Sequence, residues 1–362
     1  MRIAFRVDAS AQIGTGHVYR CLALAEALSS QGVEPVFIVR DLGYDVRRLV
    51  RSHSDYPIYV LPRPTGTSRR TTTQVAHASW AVVDAQQDAE ETAATLAPLG
   101  CAWVVVDHYG FDSLWHSDVR RRIGCRIAVI DDLADRRINA DLIIDHNLHP
   151  DHEVKYRPWV DMATKVLGGP RFALIRSAYE TAARWNEATA RQSIGIFVGG
   201  SDPLNLSLLA WEACREKLEF AGDIEIVTTT ANPHLPSLRE CTRADCHLSI
   251  TVNAPHLAPF FGRHLVQMGA GGGAIWERCC IGAPTVAVMG AENQVLSVPA
   301  LHEAGILAMA GNPRQWNRTT SDDIAVAAQQ LLASSELRRQ FSEKSGRLVD
   351  GHGASRVARE FK

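Results

Sequence analysis

No apolar stretch of this chain approaches the roughly 20 residues that a membrane-spanning helix needs, so the sequence gives no reason to expect a spanning protein. Charge of one sign is not in excess: 38 Lys and Arg against 40 Asp and Glu leave a formal charge of -2. Nucleic-acid binders carry a basic face, whereas Arg47-Arg48 and Arg120-Arg121-Arg122 are short clusters that read as solvated helix surface. The first residues lack an apolar leader, because Arg6 and Asp8 interrupt them. They read as a strand rather than a signal peptide, and a cytoplasmic protein is expected. The eight cysteines lack the spacing of a disulfide or zinc framework: Cys241 and Cys246 have no second pair, and Cys279-Cys280 is vicinal. In a cytoplasmic chain they read as free thiols, most of them acting as small hydrophobes.

What is present is a rhythm. Short continuous apolar runs, Ile3–Val7, Pro35–Val39, Ile58–Leu61, Ala102–Asp107, Arg126–Ile130 and Leu142–Asp145, alternate with amphipathic stretches. A second series follows at Ser193–Val198, Asp223–Thr228, His247–Thr251, His264–Met268, Pro284–Val288 and Gly305–Ala308. Continuous runs fit strands buried on both faces of a parallel sheet, and the alternation means an α/β fold. With 362 residues the chain suits two domains. A polar helix and linker over 178–192 interrupt the series, which places the boundary near residue 188. The expected division is 1–188, 189–345 and a helical tail, 346–362, packing back on the first domain. Pro62–Thr73, rich in Pro, Thr and Arg, reads as a mobile loop.

Chemistry gathers at the ends of the apolar runs, where open α/β sheets bind ligands. After the first strand, Ile13-Gly14-Thr15-Gly16-His17 opens a helix. Gly14 and Gly16 allow a close backbone approach, and the helix start favours negative charge. The third glycine of a dinucleotide fingerprint is missing. His17 is the candidate general base, against the alternative of a histidine capping the helix. Asp107-His108-Tyr109 ends the fourth strand. Asp107 is a candidate to orient a histidine or to cap the next helix, and Tyr109 a donor to a sugar or leaving oxygen. Whether Asp8 or Asp107 orients His17 stays open. Asp131-Asp132 reads as a turn or cap, and His146, His149 and His152 have no standard zinc spacing. In the second half, Gly199-Gly200-Ser201-Asp202 is either a phosphate turn or a tight loop. Gly269-Ala270-Gly271-Gly272-Gly273 before a helix is an anion cradle, with Glu277 one turn on as acceptor for a ribose diol.

These motifs, together with 169–176 (Gly-Pro-Arg-Phe-Ala-Leu-Ile-Arg), Glu292-Asn293-Gln294 and Val349-Asp350-Gly351-His352-Gly353, occur in an order that spans almost the whole chain. As a set they resemble the UDP-2,4-diacetamido-2,4,6-trideoxy-β-L-altropyranose hydrolases of pseudaminic acid biosynthesis. The resemblance implies two Rossmann-like domains facing across a cleft, as in GT-B glycosyltransferases. It implies a UDP-sugar hydrolase that needs no metal; beside it, the charge and the apolar runs give no reason to expect nucleic acid or membrane as partners, and a monomer without a cofactor is expected. His17, Tyr109 and Asn293 would be its catalytic set. Substrate contacts are expected from Asp8, Gly14, Gly16, Arg20, Asp107, His108, Arg176, Gly200, Gly271, Gly272, Gly273, Glu277 and Gln294. Gly272-Gly273 departs from the family, which often carries a hydroxyl residue there. Two other readings fit the same residues: a glycosyltransferase, and a non-catalytic nucleotide-sugar binding protein.

Overall fold

The computed structural model describes residues 1–10, 12–63 and 75–362; the loop read at Pro62–Thr73 lies almost wholly outside the described residues. The chain divides into two compact units, one of Met1–Ser177 with His352–Lys362, the other of Ala178–Gly351.

The first unit is built on seven parallel strands: β1 Arg2–Val7, β2 Glu34–Arg40, β3 Ile58–Leu61, β4 Trp103–Asp107, β5 Arg126–Ile130, β6 Leu142–Asp145 and β7 Lys165–Gly168. Their order is β3-β2-β1-β4-β5-β6-β7. Six match the apolar runs. The seventh, Lys-Val-Leu-Gly, is too short and too mixed to register as a run, and it forms because β6 offers an edge.

Alternation along β1 sorts its side chains between the two faces. Ile3, Phe5 and Val7 join Val105 of β4 and Val18, Cys21 and Leu22 of the helix Gly16–Ser29. Ala4 joins Val104, Val106, Phe111 and Trp115 on the opposite face. The C-terminal helix Gly353–Ala358 closes the first face, adding Ala354, Val357 and Phe361 to the same cluster. Gly353 sits where a Cβ would collide with the backbone of Ala173, so no other residue brings the helix this close.

The second unit repeats the plan with β8 Arg191–Ile196, β9 Asp223–Thr228, β10 Leu248–Val252, β11 His264–Ala270, β12 Thr285–Val288 and β13 Ala308–Met309, in the order β10-β9-β8-β11-β12-β13. All ladders are parallel. The last strand starts later than the run at Gly305–Ala308 because Gly305, at φ +67°, turns the chain out of the preceding helix. The passage between units falls at Ser177/Ala178 rather than near 188. Trp185 explains the shift: it is buried in the second unit, its Nε1 donating to His264 O at 2.9 Å and its amide to Ile281 O at 2.8 Å. The return to the first unit comes at His352 rather than 346, because the helix Ser335–Leu348 packs on the helix Ala274–Ile281.

In both sheets the order reverses between the first strand and the fourth, β1/β4 and β8/β11. A crevice opens at such a switch point, outside the carboxyl ends of the strands.

Candidate active site

At the β1/β4 switch point the loop after β1 is folded by its own side chains. Ser10 Oγ accepts from the amides of Gln12 and Ile13, and Gly14 takes φ +77° with open space around it. The helix Gly16–Ser29 then starts without a side-chain cap at Thr15. His17 sits in its first turn, and its Nδ1 lies 2.6 Å from Asp107 Oδ1. Arg20, one turn on, holds the same carboxylate with two prongs, Nε to Oδ2 and Nη2 to Oδ1, each 2.6 Å. Burial opposes ionisation of Asp107, but Arg20 and His17 overcome it and hold its pKa well below the usual carboxylate range. An ionised Asp107 accepts a hydrogen bond from the Nδ1–H of His17. Nε2 is then the basic nitrogen, and among the described residues it makes no hydrogen bond.

Strand parity decides which aspartate orients His17. Trp103 and Val105 face the Gly16–Ser29 helix, so Asp107 does too. Asp8 and His108 fall on the opposite face. Asp8 Oδ1 accepts from Arg6 Nη1 at 2.6 Å and from the Arg40 amide at 2.7 Å, and its Oδ2 lies 3.5 Å from His108 Nε2. His108 stacks on Phe111, and burial pulls its pKa down to about 4. The expected substrate contacts from Asp8 and His108 are therefore corrected: both are buried struts behind the site. Nor does Asp107 cap the next helix; Asp112 does, accepting from Leu114 N at 3.0 Å.

Tyr109 stands edge-on to His17, ring centroids 5.0 Å apart. Its hydroxyl donates to Asp132, and burial and that carboxylate raise its pKa well above normal. Asp132 thus joins the site, whereas Asp131 serves the turn reading by accepting from the amides of Leu133 and Ala134. Trp80 stacks on Tyr109 (5.0 Å) and meets the His17 ring edge-on (5.4 Å). It is half-buried. No motif around it, in His77-Ala78-Ser79-Trp80-Ala81-Val82-Val83, marks it in the sequence. Arg176 is not brought to this site: its Nε bonds Glu26 Oε2 at 3.2 Å, in the last turns of the helix that His17 opens. Nine residues of helix separate Glu26 from His17, about 13 Å at 1.5 Å per residue.

At the β8/β11 switch point the two glycine turns differ. In the first, Asp202 Oδ1 and Oδ2 accept from the amides of Leu206 (2.7 Å) and Ser207 (2.9 Å). The protein's own carboxylate fills that helix start, so the tight-loop reading of Gly200 replaces the phosphate reading. In the second, Gly271 is constrained: a Cβ there would collide with Val298, and its amide is shared by Val288 O and Gln294 Oε1. Gln294 Oε1 also accepts from Gly290 N at 2.9 Å, tying the two loops together. Gln294 is therefore a brace rather than a free ligand. Gly272 and Gly273 stand open, and the amides of 272–274 have no acceptor among the described residues. They precede the helix Ala274–Ile281, where Glu277 lies in the first turn, hydrogen-bonded to the Tyr179 hydroxyl. Asn293 begins the helix Gln294–Glu303 with its side chain unused as a cap.

Among the described residues no group of three or more His, Cys, Asp and Glu is placed to hold a metal ion. His149 Nδ1 accepts from Asp151 N, and His152 Nε2 pairs with Asn147 O. All eight cysteines are unpaired. No helix among the described residues is long and apolar enough to cross a membrane.

No family model matches the sequence. The chain is 25% identical over 262 residues, 71% of its length and 80% of the relative's, to the UDP-2,4-diacetamido-2,4,6-trideoxy-beta-L-altropyranose hydrolase of Campylobacter jejuni. It is 24% identical over 209 residues, 57% of its length and 60% of the relative's, to the spore coat polysaccharide biosynthesis protein SpsG of Bacillus subtilis. Among solved structures it is similar to MurG of Acinetobacter baumannii (TM-score 0.62, 15% identity, 99% of each chain). Staphylococcus aureus MnaA with UDP aligns with a TM-score of 0.66 at 14% identity, over 98% of this chain and 94% of that one. At such identities the structures speak for the fold alone, two Rossmann-like units of the GT-B kind. The likeness carried by the ordered motifs thus extends through most of the sequence, and the family that this chain resembles is that of the UDP-2,4-diacetamido-2,4,6-trideoxy-beta-L-altropyranose hydrolases.

Proposed function

We propose that this chain is an enzyme of nucleotide-sugar metabolism that hydrolyses UDP-2,4-diacetamido-2,4,6-trideoxy-β-L-altropyranose to UDP and the free sugar, with inversion at the anomeric carbon. The observation that carries the proposal is the His17–Asp107 pair, an imidazole with Nε2 unused at a switch point where ligands of this fold bind. The hydrolase relative supplies the substrate class.

In this reading UDP binds the second unit. The open amides at 272–274 receive the diphosphate, Asn293 adds a side-chain donor, and Glu277 accepts from the ribose. Helix-start amides stabilise the charge that gathers on the leaving diphosphate. His17 Nε2 takes a proton from water, the oxygen attacks the anomeric carbon, and the bond to the UDP oxygen breaks. Asp107 stabilises the imidazolium that forms, and Arg20 keeps Asp107 ionised and in place. The proposal requires the anomeric carbon of the bound sugar to come within reach of Nε2. Tyr109 and Trp80 then wall the sugar beside His17. General base catalysis of this kind contributes about 10²–10⁴-fold.

A second reading follows from the glycosyltransferases that share the fold: the same base would activate an acceptor hydroxyl. One experiment separates the two. The purified protein is incubated with the UDP-sugar and EDTA, without acceptor, and UDP and anomeric configuration are followed by NMR. Sustained release of UDP with the inverted free sugar is the expected result. UDP binding without release points to the transferase, and no binding at all removes both readings.

A further inference from the structure

A buried guanidinium is costly unless a carboxylate shares its site. The other deeply buried arginines here obey that rule: Arg6 pairs with Asp8 and Asp88, Arg40 with Asp88, Arg136 with Asp131, and Arg338 with Glu187. Arg278 does not. It is 1% exposed, in the helix Ala274–Ile281 that the glycine-rich turn opens, and among the described residues no carboxylate forms an ion pair with it; the adjacent Glu277 acts on it only as a nearby charge that does not offset the cost of burial. Its Nη2 donates to Ala270 O at 2.5 Å and its Nη1 to Phe197 O at 3.3 Å, while Nε has no acceptor. Those carbonyls lie at the ends of β11 and β8, the two strands that flank the switch point. Gly269 is glycine for the same reason, since a Cβ there would press on Phe197 O and on the guanidinium.

The cation is thus hydrogen-bonded to Ala270, the residue that leads into the turn whose amides at 272–274 have no acceptor among the described residues. Burial draws its pKa down to about 10, which still leaves it charged at neutral pH. In low dielectric such a charge acts strongly over short distances and is little screened by salt.

We propose that Arg278 is a positioning residue for the diphosphate of the bound nucleotide, its unpaired buried charge being balanced through the glycine turn by the phosphates. The inference rests on the reading of the second unit as the UDP site. A purely structural role, clamping β8 to β11, would affect every ligand of that site alike. A balancing charge discriminates by phosphate content.

The test is calorimetric titration of the whole protein with UDP and with uridine. For Arg278→Gln, UDP affinity is expected to fall roughly tenfold or more while uridine affinity stays within about twofold, and Arg278→Lys should recover most of the loss. An equal loss for both ligands, or none for either, overturns the proposal. The wild type gives a check that needs no variant: its preference for UDP over uridine should persist from about 0.05 to about 0.5 M salt, because the charge is buried. A preference that vanishes with salt overturns the proposal. If the wild type binds neither ligand, the site reading itself is lost. If it binds both but the Arg278 variants do not discriminate, only the role of Arg278 is lost.

Discussion

Nδ1 of His17 lies 2.6 Å from Oδ1 of Asp107, and Arg20 grips both oxygens of that carboxylate. The pair fixes the imidazole tautomer, and Arg20 fixes the carboxylate. In Asp107→Asn the side-chain amide can offer a donor to Nδ1, which would move the ring proton to Nε2 and remove the base. Turnover of the UDP-sugar is expected to fall about 10²–10⁴-fold. UDP affinity should stay unchanged, because the nucleotide is assigned to the other unit. Steady-state kinetics together with UDP titration check this; turnover within about threefold of wild type would show that the pair is not catalytic.

Much of this arrangement was legible in the sequence. The two series of apolar runs mark twelve of the strands, and the glycine turn before His17 marks the site because ligands gather where strands end. The choice between Asp8 and Asp107 was not legible: it needs the knowledge that Phe5 and Val105 share the helix-facing side, which puts Asp107 on that side and Asp8 on the other. Trp80 and Asp132 were not legible as partners of Tyr109. They meet it through the lateral order of strands and a loop path, neither of which leaves a periodic trace. Arg278 looks like any helix arginine until its depth and its lack of a carboxylate are seen.

Four buried histidines have depressed pKa values: burial holds His108 and His146 at about 4 and His116 at about 3, and draws His264 down as well. An unfolded chain protonates the same residues near pH 6.5. Between about 6.5 and 4 the unfolded state therefore binds more protons, so these residues favour folding above pH 6.5 and lose that contribution as pH falls through the window. Each adds a slope of at most about 1.4 kcal/mol per pH unit. Denaturant midpoints measured from pH 7 to pH 4.5 should fall steadily. His108→Gln should flatten the curve, and an unchanged slope would show that His108 is not held neutral.

Asp202 occupies the start of the helix Leu206–Glu212 with its own carboxylate. Removing it in Asp202→Ala should cost about 1 kcal/mol, as loss of an N-cap does, although burial raises the Asp202 pKa and trims the contribution of its charge. UDP affinity should not change, since this turn is already filled by the protein. A clear fall in UDP affinity at unchanged stability would restore the first glycine turn as a phosphate site.

The glycines of the second turn should separate stability from binding. At Gly271 an added methyl collides with Val298 in the interior, and Gln294 must shift with it. Gly271→Ala is expected to destabilise by about 1–3 kcal/mol, the usual cost of overpacking. At Gly273 nothing stands within 4 Å of an added Cβ, and the backbone is helical at φ -50°. Gly273→Ala should change the melting temperature little, because the backbone there is already in a region that alanine adopts freely and the added methyl meets nothing, while the small preference of a helix start for glycine is the only loss. Its methyl nevertheless projects into the space proposed for the diphosphate. Gly273→Ala should weaken UDP several-fold while uridine binds as before, whereas Gly271→Ala acts first on stability. Thermal melts with UDP and uridine titrations give both readouts on the same samples. A stable Gly273→Ala protein with wild-type UDP affinity would place the phosphates away from this turn and take the proposed role of Arg278 with it.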